Sequence, residues 1–387
     1  MTRMRVMHVV DSLAASGGAE QRLVEEAEAI ADRFDQRVVR LYGRDELQPR
    51  LEQAGIPVIA LGMTGRHAGR TWPVAVLRLR RALREWRPDV IHTTLFSANL
   101  TGQLAARTLG IPVVSSFNRT GDITLQRTLQ PGVAGWRGRS MQAIAGRAAR
   151  CGDVHFRAVS AYARDSNCEL FDVPLERVTV VPRGISVGGA PAADRAAFGI
   201  ADGIPLFVNV ARLVPEKAQH LLVDAFAEVR DTLPDAELAI AGASGSAEPT
   251  VRAAIARHGL DGAVHLLGWR DDVRSLVAVA DVFVFSSLSE GSPSAVLEAM
   301  VIGTPVVAFA IAPVVELTGG HARLAPTGAP GLLAHEMLAA YNAPERTTEI
   351  AGAQAWAARF ALSDVARQLG DLLEWRAGRR AEPVRAA

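Results

Sequence analysis

Cysteine is nearly absent: 387 residues carry two, Cys151 and Cys168, and they form no C-x-x-C pair. A disulfide framework and a complete cysteine metal cluster are excluded, and inert thiols are expected. Lysine is scarcer still, since 41 of the 42 basic residues are arginine and Lys217 is the one exception. Aromatic residues make up 5% of the chain, and no apolar stretch approaches the roughly 18 uncharged residues of a membrane-spanning helix. The opening run Arg5-Val6-Met7-His8-Val9-Val10 is too short and polar for a signal peptide, so a cytoplasmic location is expected. There is no P-loop G-K-S/T and no D-x-D motif. No basic-aromatic run suggests nucleic-acid reading.

Hydrophobic residues at 49% and charged residues at 21% describe a globular chain, long enough for two to three domains of about 150 residues. The net charge of +1 hides a split. Residues 1–190 hold 26 basic against 18 acidic side chains, and residues 191–387 hold 16 against 23. Between Thr64 and Asp89 there are seven arginines, Arg66, Arg70, Arg78, Arg81 and Arg84 among them, against the single acid Glu85. Such a surplus suits an anionic acceptor or a membrane surface at the inner face, with a solvated polar face as the alternative.

Short Val/Ile-rich runs alternate with segments whose apolar residues return every three or four positions, which predicts parallel α/β structure. Strands are expected at 5–10, 37–41, 57–61, 89–92, 112–116 and 155–159, then at 205–210, 237–241, 264–267, 282–285 and 305–309. The helix predicted over 72–86 carries one stripe, Trp72, Val76, Leu79, Leu83 and Trp86. Helices are also expected at 218–230, 272–279 and 363–376. Small, aperiodic sequence from Pro182 to Ala193 marks a domain edge. The expected architecture is two doubly wound Rossmann-like α/β domains, 1–182 and 183–362, facing across a cleft, with 363–387 packing back on the first.

Three segments carry chemistry. Gly17-Gly18, between the first strand and a helix, allows backbone N–H groups close to an anion, although a glycine pair there is more often just a turn and needs a partner elsewhere. Arg212 and Lys217 stand five residues apart after a second-half strand, where two cations suit a diphosphate; a compact ammonium in a chain otherwise built on arginine strengthens that reading. The third segment runs from Ser286 to Met300. Glu290 lies in the loop after a strand, Ser292 suits an N-cap, Pro293 suits the first helical position, and Glu298 sits over a turn into the helix within an apolar run. Hydroxyl-rich ligands would satisfy both carboxylates.

These residues carry a resemblance. The GGAE-type first loop, the R-x4-K turn, the two glutamates eight residues apart, Leu267 to Val273, Ala280 to Phe285, and the trailing Gly303 to Ala308 with Glu316 are similar to the retaining glycosyltransferases of family 4, which have the GT-B fold. The resemblance spans nearly the whole chain. It implies a second domain that binds a UDP- or GDP-sugar, and a first domain that binds a hydroxyl acceptor: a lipid-linked sugar, a glycan or a small molecule. Arg212 and Lys217 would hold the donor diphosphate, Glu298 the ribose hydroxyls, and Glu290 the sugar beside its anomeric carbon. Arg270 and the segment Gly291, Ser292, Pro293 and Ser294 would complete the donor site, and Gly17 and Gly18 would approach it from the first domain. No metal and no cofactor is implied, with leaving-group charge carried by cations and dipoles.

Two positions depart from the family pattern. Asn118, followed by Arg119, occupies the acceptor region where many relatives have a histidine, and Arg183-Gly184 stands in place of Asn-Gly. His92, expected at the end of the fourth strand, is a substitute for the missing histidine or a hydrogen-bonded strand residue. Polysaccharide or glycolipid synthesis is the expected setting; a nucleotide-sugar epimerase or hydrolase of the same fold, or a silent sugar-nucleotide binder, are the alternatives.

Overall fold

The computed structural model describes residues 3–63, 72–121, 136–150, 152–189 and 192–382. Arg66, Arg70, Cys151, Ala190 and Pro191 lie outside the described residues. The chain divides into two compact units, Met1–Gly184 with Leu362–Ala387, and Ile185–Ala361.

Unit 1 alternates strand and helix. Its order is β1 Met4–Val10, α1 Gly18–Ala29, β2 Phe34–Tyr42, α2 Gln48–Gln53, β3 Val58–Met63, α3 Trp72–Trp86 and β4 Val90–Thr94. It continues with α4 Phe96–Arg107, β5 Val113–Phe117, α5 Trp136–Arg150, β6 Val154–Ala158, α6 Ala161–Phe171 and β7 Val178–Val180. The seven strands are all parallel, in the order β3-β2-β1-β4-β5-β6-β7. The edge strand β7, three residues long, is the one the sequence pattern does not announce. In α3 the buried stripe is Ala75, Leu79, Leu83 and Trp86, while Trp72 and Val76 are half-buried.

One face of this sheet carries a polar band across neighbouring strands, set between two apolar clusters. Gln36 of β2, His8 of β1, His92 of β4 and Ser116 of β5 form an unbroken hydrogen-bonded chain, at 2.8 Å, 3.0 Å and 2.9 Å in turn. Beside it Arg157 of β6 makes a bidentate pair with Glu26 of α1, both contacts at 2.6 Å and both side chains buried. A charge pair taken out of water needs its remaining donors satisfied. The carbonyls of Val181 and Pro182 do this for Arg157.

Unit 2 contains β8 Leu206–Val210, α7 Gln219–Thr232, β9 Glu237–Ala241, α8 Glu248–Arg257, β10 Val264–Gly268, α9 Val273–Ala278 and β11 Val282–Phe285. It closes with α10 Ser294–Ile302, β12 Val306–Phe309, α11 Ala312–Thr318, β13 Arg323–Ala325, α12 Pro330–Tyr341 and α13 Arg346–Ala357. The six strands are parallel, in the order β10-β9-β8-β11-β12-β13. Successive residues face opposite sides. Phe207, Val282 and Val284 pack under one helical layer, and Leu206, Val208, Phe283 and Phe285 under the other.

The C-terminal helix α14, Leu362–Arg376, belongs to unit 1. Its Leu369, Leu372 and Leu373 join Met4, Val6, Phe34, Val90 and Val114 in one buried cluster. Arg33 pairs with Asp371 and Glu374 of this helix at 2.7 Å and 2.6 Å. Gly184 is needed where the chain passes the helix, because a Cβ there would stand 2.9 Å from the Leu362 Cα.

Candidate active site

In unit 2 the strand order reverses between β8 and β11, so the connections leaving these neighbours diverge and open a crevice at their carboxyl ends. The loop after β8 carries Arg212, exposed, and Lys217, half-buried in a single 3-10 turn, Pro215–Lys217. Ala218 then takes a left-handed φ of 46° before α7 begins. The loop after β11 is tied to it: the Ser286 hydroxyl donates to the Lys217 carbonyl at 2.9 Å, and the Leu288 N–H to the Glu216 carbonyl at 2.8 Å. Both contacts end on the main chain of the β8 loop, which fixes the two loops against each other. The glycines after β9 serve the same packing, since a Cβ on Gly242 or Gly245 would collide with the carbonyls of Ala211 and Leu213.

This brings Lys217 and Glu290 together. The Lys217 ammonium donates to the Glu290 carboxylate and lies 5.5 Å from the Phe285 ring centroid. The same strands and loops, and the helices they lead into, carry buried polar atoms with no hydrogen-bond partner among the described residues: Asn209 Oδ1, Gln219 Oε1 and the hydroxyls of Ser287, Ser292 and Ser294. Asn209 and Gln219 spend their amide nitrogens on the carbonyls of Val284, Ala211 and Arg212, which leaves their oxygens over. Buried polar groups are ordinarily paired, so several orphans in the segments that hold one ion pair mark a site shaped for a polar ligand.

The start of α10 differs from the sequence expectation. The helix begins at Ser294 with Pro293 at the cap position, and no side chain caps it, so Ser292 is not the N-cap and Pro293 is not the first helical residue. The Ser292 hydroxyl is thereby left buried and without a partner among the described residues. Gly291 is buried, and Glu298 is half-buried on the second turn. Arg270 is engaged within its own loop, with two 2.7 Å contacts to Asp272 and its guanidinium 5.0 Å from the Phe198 ring.

Unit 1 repeats the switch-point logic between β1 and β4. Gly17 occupies the cap position of α1 without a side-chain cap, and Gly18 is exposed. Asp11, at the end of β1, accepts from the Ala98 N–H at 2.7 Å in the first turn of α4, and burial pushes its carboxyl up to about 7. The Asn118 carbonyl accepts from Arg183 at 3.3 Å; Arg119 is exposed, and its carbonyl accepts from the Asn167 amide at 2.8 Å.

His92 lies in the middle of β4 and is buried, which corrects the expected position at the strand end. Proton directions along its chain follow from the fixed ends. Gln36 gives its amide hydrogen to the Ala27 carbonyl, so its oxygen accepts from His8 Nε2. His8 Nδ1 then accepts from His92 Nδ1, and His92 Nε2 accepts from the Ser116 hydroxyl. Both rings are neutral in this arrangement. Burial pushes His8 down to about 4, and burial with the neighbouring His8 and Arg157 holds His92 well below the usual histidine range. Sequence reading missed this chain, as it missed Asp11, Asn209 and Gln219; a buried strand polar residue gives no spacing signal of its own. Among the described residues no group of three His, Cys, Asp or Glu side chains could hold a metal ion.

Two parallel-sheet α/β units, each with a switch point in its strand order, are the architecture of a GT-B fold. The solved structure of Anabaena HepE in complex with UDP-glucose is similar over 96% of this chain and 100% of that one, with a TM-score of 0.80 and 24% identity. Residues 17–184 match the family model described as glycosyl transferase 4-like domain, and residues 204–343 the one described as glycosyl transferases group 1. The chain belongs to the group 1 glycosyltransferases. Among curated relatives, the lipopolysaccharide core biosynthesis glycosyltransferase LpsE of Rhizobium meliloti is 31% identical over 169 residues, 41% of this chain and 48% of LpsE. The Escherichia coli UDP-Gal:alpha-D-GlcNAc-diphosphoundecaprenol alpha-1,3-galactosyltransferase is 26% identical over 245 residues, 60% of each chain. The chain thus spans about half to three fifths of the length of these two relatives.

Proposed function

We propose that this chain is a retaining glycosyltransferase that moves a sugar from a UDP- or GDP-sugar to an acceptor hydroxyl in glycan or glycolipid synthesis. The observation that carries the reading is the set of orphaned buried oxygens in the segments of unit 2 that hold the Lys217–Glu290 pair. A nucleotide-sugar supplies what this set needs: hydroxyls for Asn209, Gln219 and the serines, and a diphosphate for Lys217 and Arg212. The HepE complex with UDP-glucose and the UDP-galactose-dependent relative favour a uridine donor.

In the proposed reaction Arg212 and Lys217 neutralise the departing diphosphate, while Glu290 contacts a sugar that gains positive charge as the anomeric bond to phosphate lengthens. The acceptor oxygen bonds to the anomeric carbon on the face the diphosphate leaves, and the acceptor proton passes to a diphosphate oxygen. Unit 1 takes the acceptor through Asn118 and Arg119. The transfer is proposed to run without a metal, two cations carrying the leaving-group charge. We also place unit 1 at an anionic membrane surface, through the outward face of α3.

A thermal-shift panel of nucleotides and nucleotide-sugars tests the donor reading, since a ligand selective for the folded state raises its melting temperature. Turnover should survive a chelator, and NMR of the product should show the donor's anomeric configuration. Donor consumption that is equal with and without acceptor would point instead to a hydrolase or epimerase.

A further inference from the structure

Granted that unit 1 takes the acceptor, we propose that the buried chain of Gln36, His8, His92 and Ser116 is a positioning device. It holds the Ser116 hydroxyl as a hydrogen-bond acceptor, so that Ser116 and the Asn118 amide together select a neutral hydroxyl of the acceptor sugar. Ser116 and Asn118, two residues apart at the end of β5, line one recess at the carboxyl edge of the sheet, with Glu26 and Arg157 among its other walls. The enclosed part of the recess has room for about one water-sized sphere. That suits a hydroxyl oxygen, with the ring that bears it lying outside.

The direction of the chain is set at its far end. The Gln36 amide nitrogen donates to the Ala27 carbonyl at 2.9 Å, so its oxygen faces His8 and every proton in the chain points toward Gln36. Turning the chain round would set the Gln36 oxygen against the Ala27 carbonyl. Rotating Ser116 alone would leave a buried ring nitrogen of His92 without a donor, which is costly. The Ser116 proton is therefore committed, and its lone pairs are left for a ligand. Asn118 contributes the opposite polarity, because its side-chain nitrogen is buried and has no acceptor among the described residues. A fixed acceptor beside a fixed donor matches a hydroxyl, which gives its proton to Ser116 and accepts one from Asn118.

The charged groups of the recess have partners within unit 1. Arg157 and Glu26 neutralise each other in their bidentate pair, Arg22 reaches Glu25 at 2.5 Å, and Arg183 donates to the Asn118 carbonyl at 3.3 Å. A phosphate oxygen in the recess would meet the Ser116 lone pairs with no proton between them. Nor is Ser116 a nucleophile. Burial, with the neighbouring His8 and Arg157, holds His92 well below the usual histidine range, so the ring does not take up the serine proton.

The test uses the full chain. Nitrogen NMR of the histidine rings should show His8 protonated at Nε2 and His92 at Nδ1; the reverse tautomers overturn the inference. In ligand-observed NMR titrations, methyl α-glucoside, methyl α-galactoside or methyl α-mannoside should bind saturably. Ser116→Ala should weaken that binding roughly fivefold or more, as for one neutral hydrogen bond, and Ser116→Thr should restore most of it. Gln36→Leu, at the far end of the chain, should weaken it too and release His8 from its single tautomer. Should these variants lower the melting temperature, Asn118→Ala and Gln36→Met make the same comparisons. Absence of binding by all three glycosides, or binding that the Ser116 and Asn118 variants or the Gln36 variants leave unchanged, overturns the inference. Displacement of the glycoside by inorganic phosphate at constant ionic strength would assign the recess to an anion, and labelling of Ser116 by a fluorophosphonate would make it a nucleophile; either result overturns it. The donor reading is scored separately: UDP should bind the wild type and lose affinity in Lys217→Ala, whatever the glycosides do.

Discussion

Lys217 and Glu290 hold each other at the edge of the unit 2 sheet, and that pairing sets what their variants should do. Glu290→Gln keeps the shape and a hydrogen-bond acceptor but removes the charge that, in the proposed reaction, faces the sugar. Turnover should fall on the order of 100-fold with nucleotide affinity nearly unchanged, as steady-state kinetics beside a UDP titration would show. Lys217→Ala should weaken diphosphate binding by about 1.5–3 kcal/mol, the range for a charge-assisted hydrogen bond. Because Lys217 is the only lysine, an amine-directed reagent should abolish activity with one side-chain modification, and UDP should protect far better than uridine. Full activity of the modified protein would remove Lys217 from the site. The buried histidines make a prediction about pH. Their folded pKa values lie below the ordinary 6.5, so on acidification the unfolded chain takes up protons first, and stability is lost as pH falls from 6.5 toward 4. Asp11 has the opposite sense: its raised pKa costs stability as pH climbs from about 4 to about 7. Urea midpoints for Asp11→Asn should therefore exceed wild type at pH 8 and converge with it at pH 4.

At the scale of elements, α3 was the most legible, since its period-3.6 stripe over 15 residues marks both ends and the buried face. Its outward stripe combines Val74 and Leu77, 43% and 64% exposed, with the exposed Arg78, Arg81 and Arg84. Aliphatic groups beside cations suit an anionic bilayer. Sedimentation with vesicles rich in anionic phospholipid should occur at low salt and fade as salt rises; Arg81→Gln with Arg84→Gln should reduce it roughly tenfold or more at about 1 kcal/mol for each charge. Arg78 is a poorer probe, because it also donates to the carbonyls of Leu61 and Gly62. The start of α10 was misread for a local reason: proline is acceptable both at the cap and in the first turn, and the packing around the buried Ser292 settled which. The short strands β7 and β13 escaped because three residues cannot show an alternation.

Over the whole molecule, the chain visits unit 1, builds unit 2, and returns to unit 1 with α14. Ending the chain after Ala361 should thus destabilise the distant N-terminal strands more than the adjacent unit 2. Hydrogen exchange would show protection lost in β1 and β4, whose Met4, Val6 and Val90 pack on this helix, while unit 2 keeps its protection and its UDP affinity. Leu369→Ala alone should cost about 2–5 kcal/mol in unit 1. Equal loss in both units would contradict the division. Periodicity and turn chemistry by themselves determined two runs of parallel α/β structure and the loops that hold Gly17-Gly18, Arg212, Lys217 and Glu290, because those signals are local in the chain. Tertiary structure alone decided that Lys217 meets Glu290 across 73 positions, that Gln36, His8, His92 and Ser116 join into one chain, and that Arg157 and Glu26 are buried together. Parallel strands distant in sequence become neighbours only through sheet order and register, and a polar side chain carries no local mark of the partner that order will bring to it.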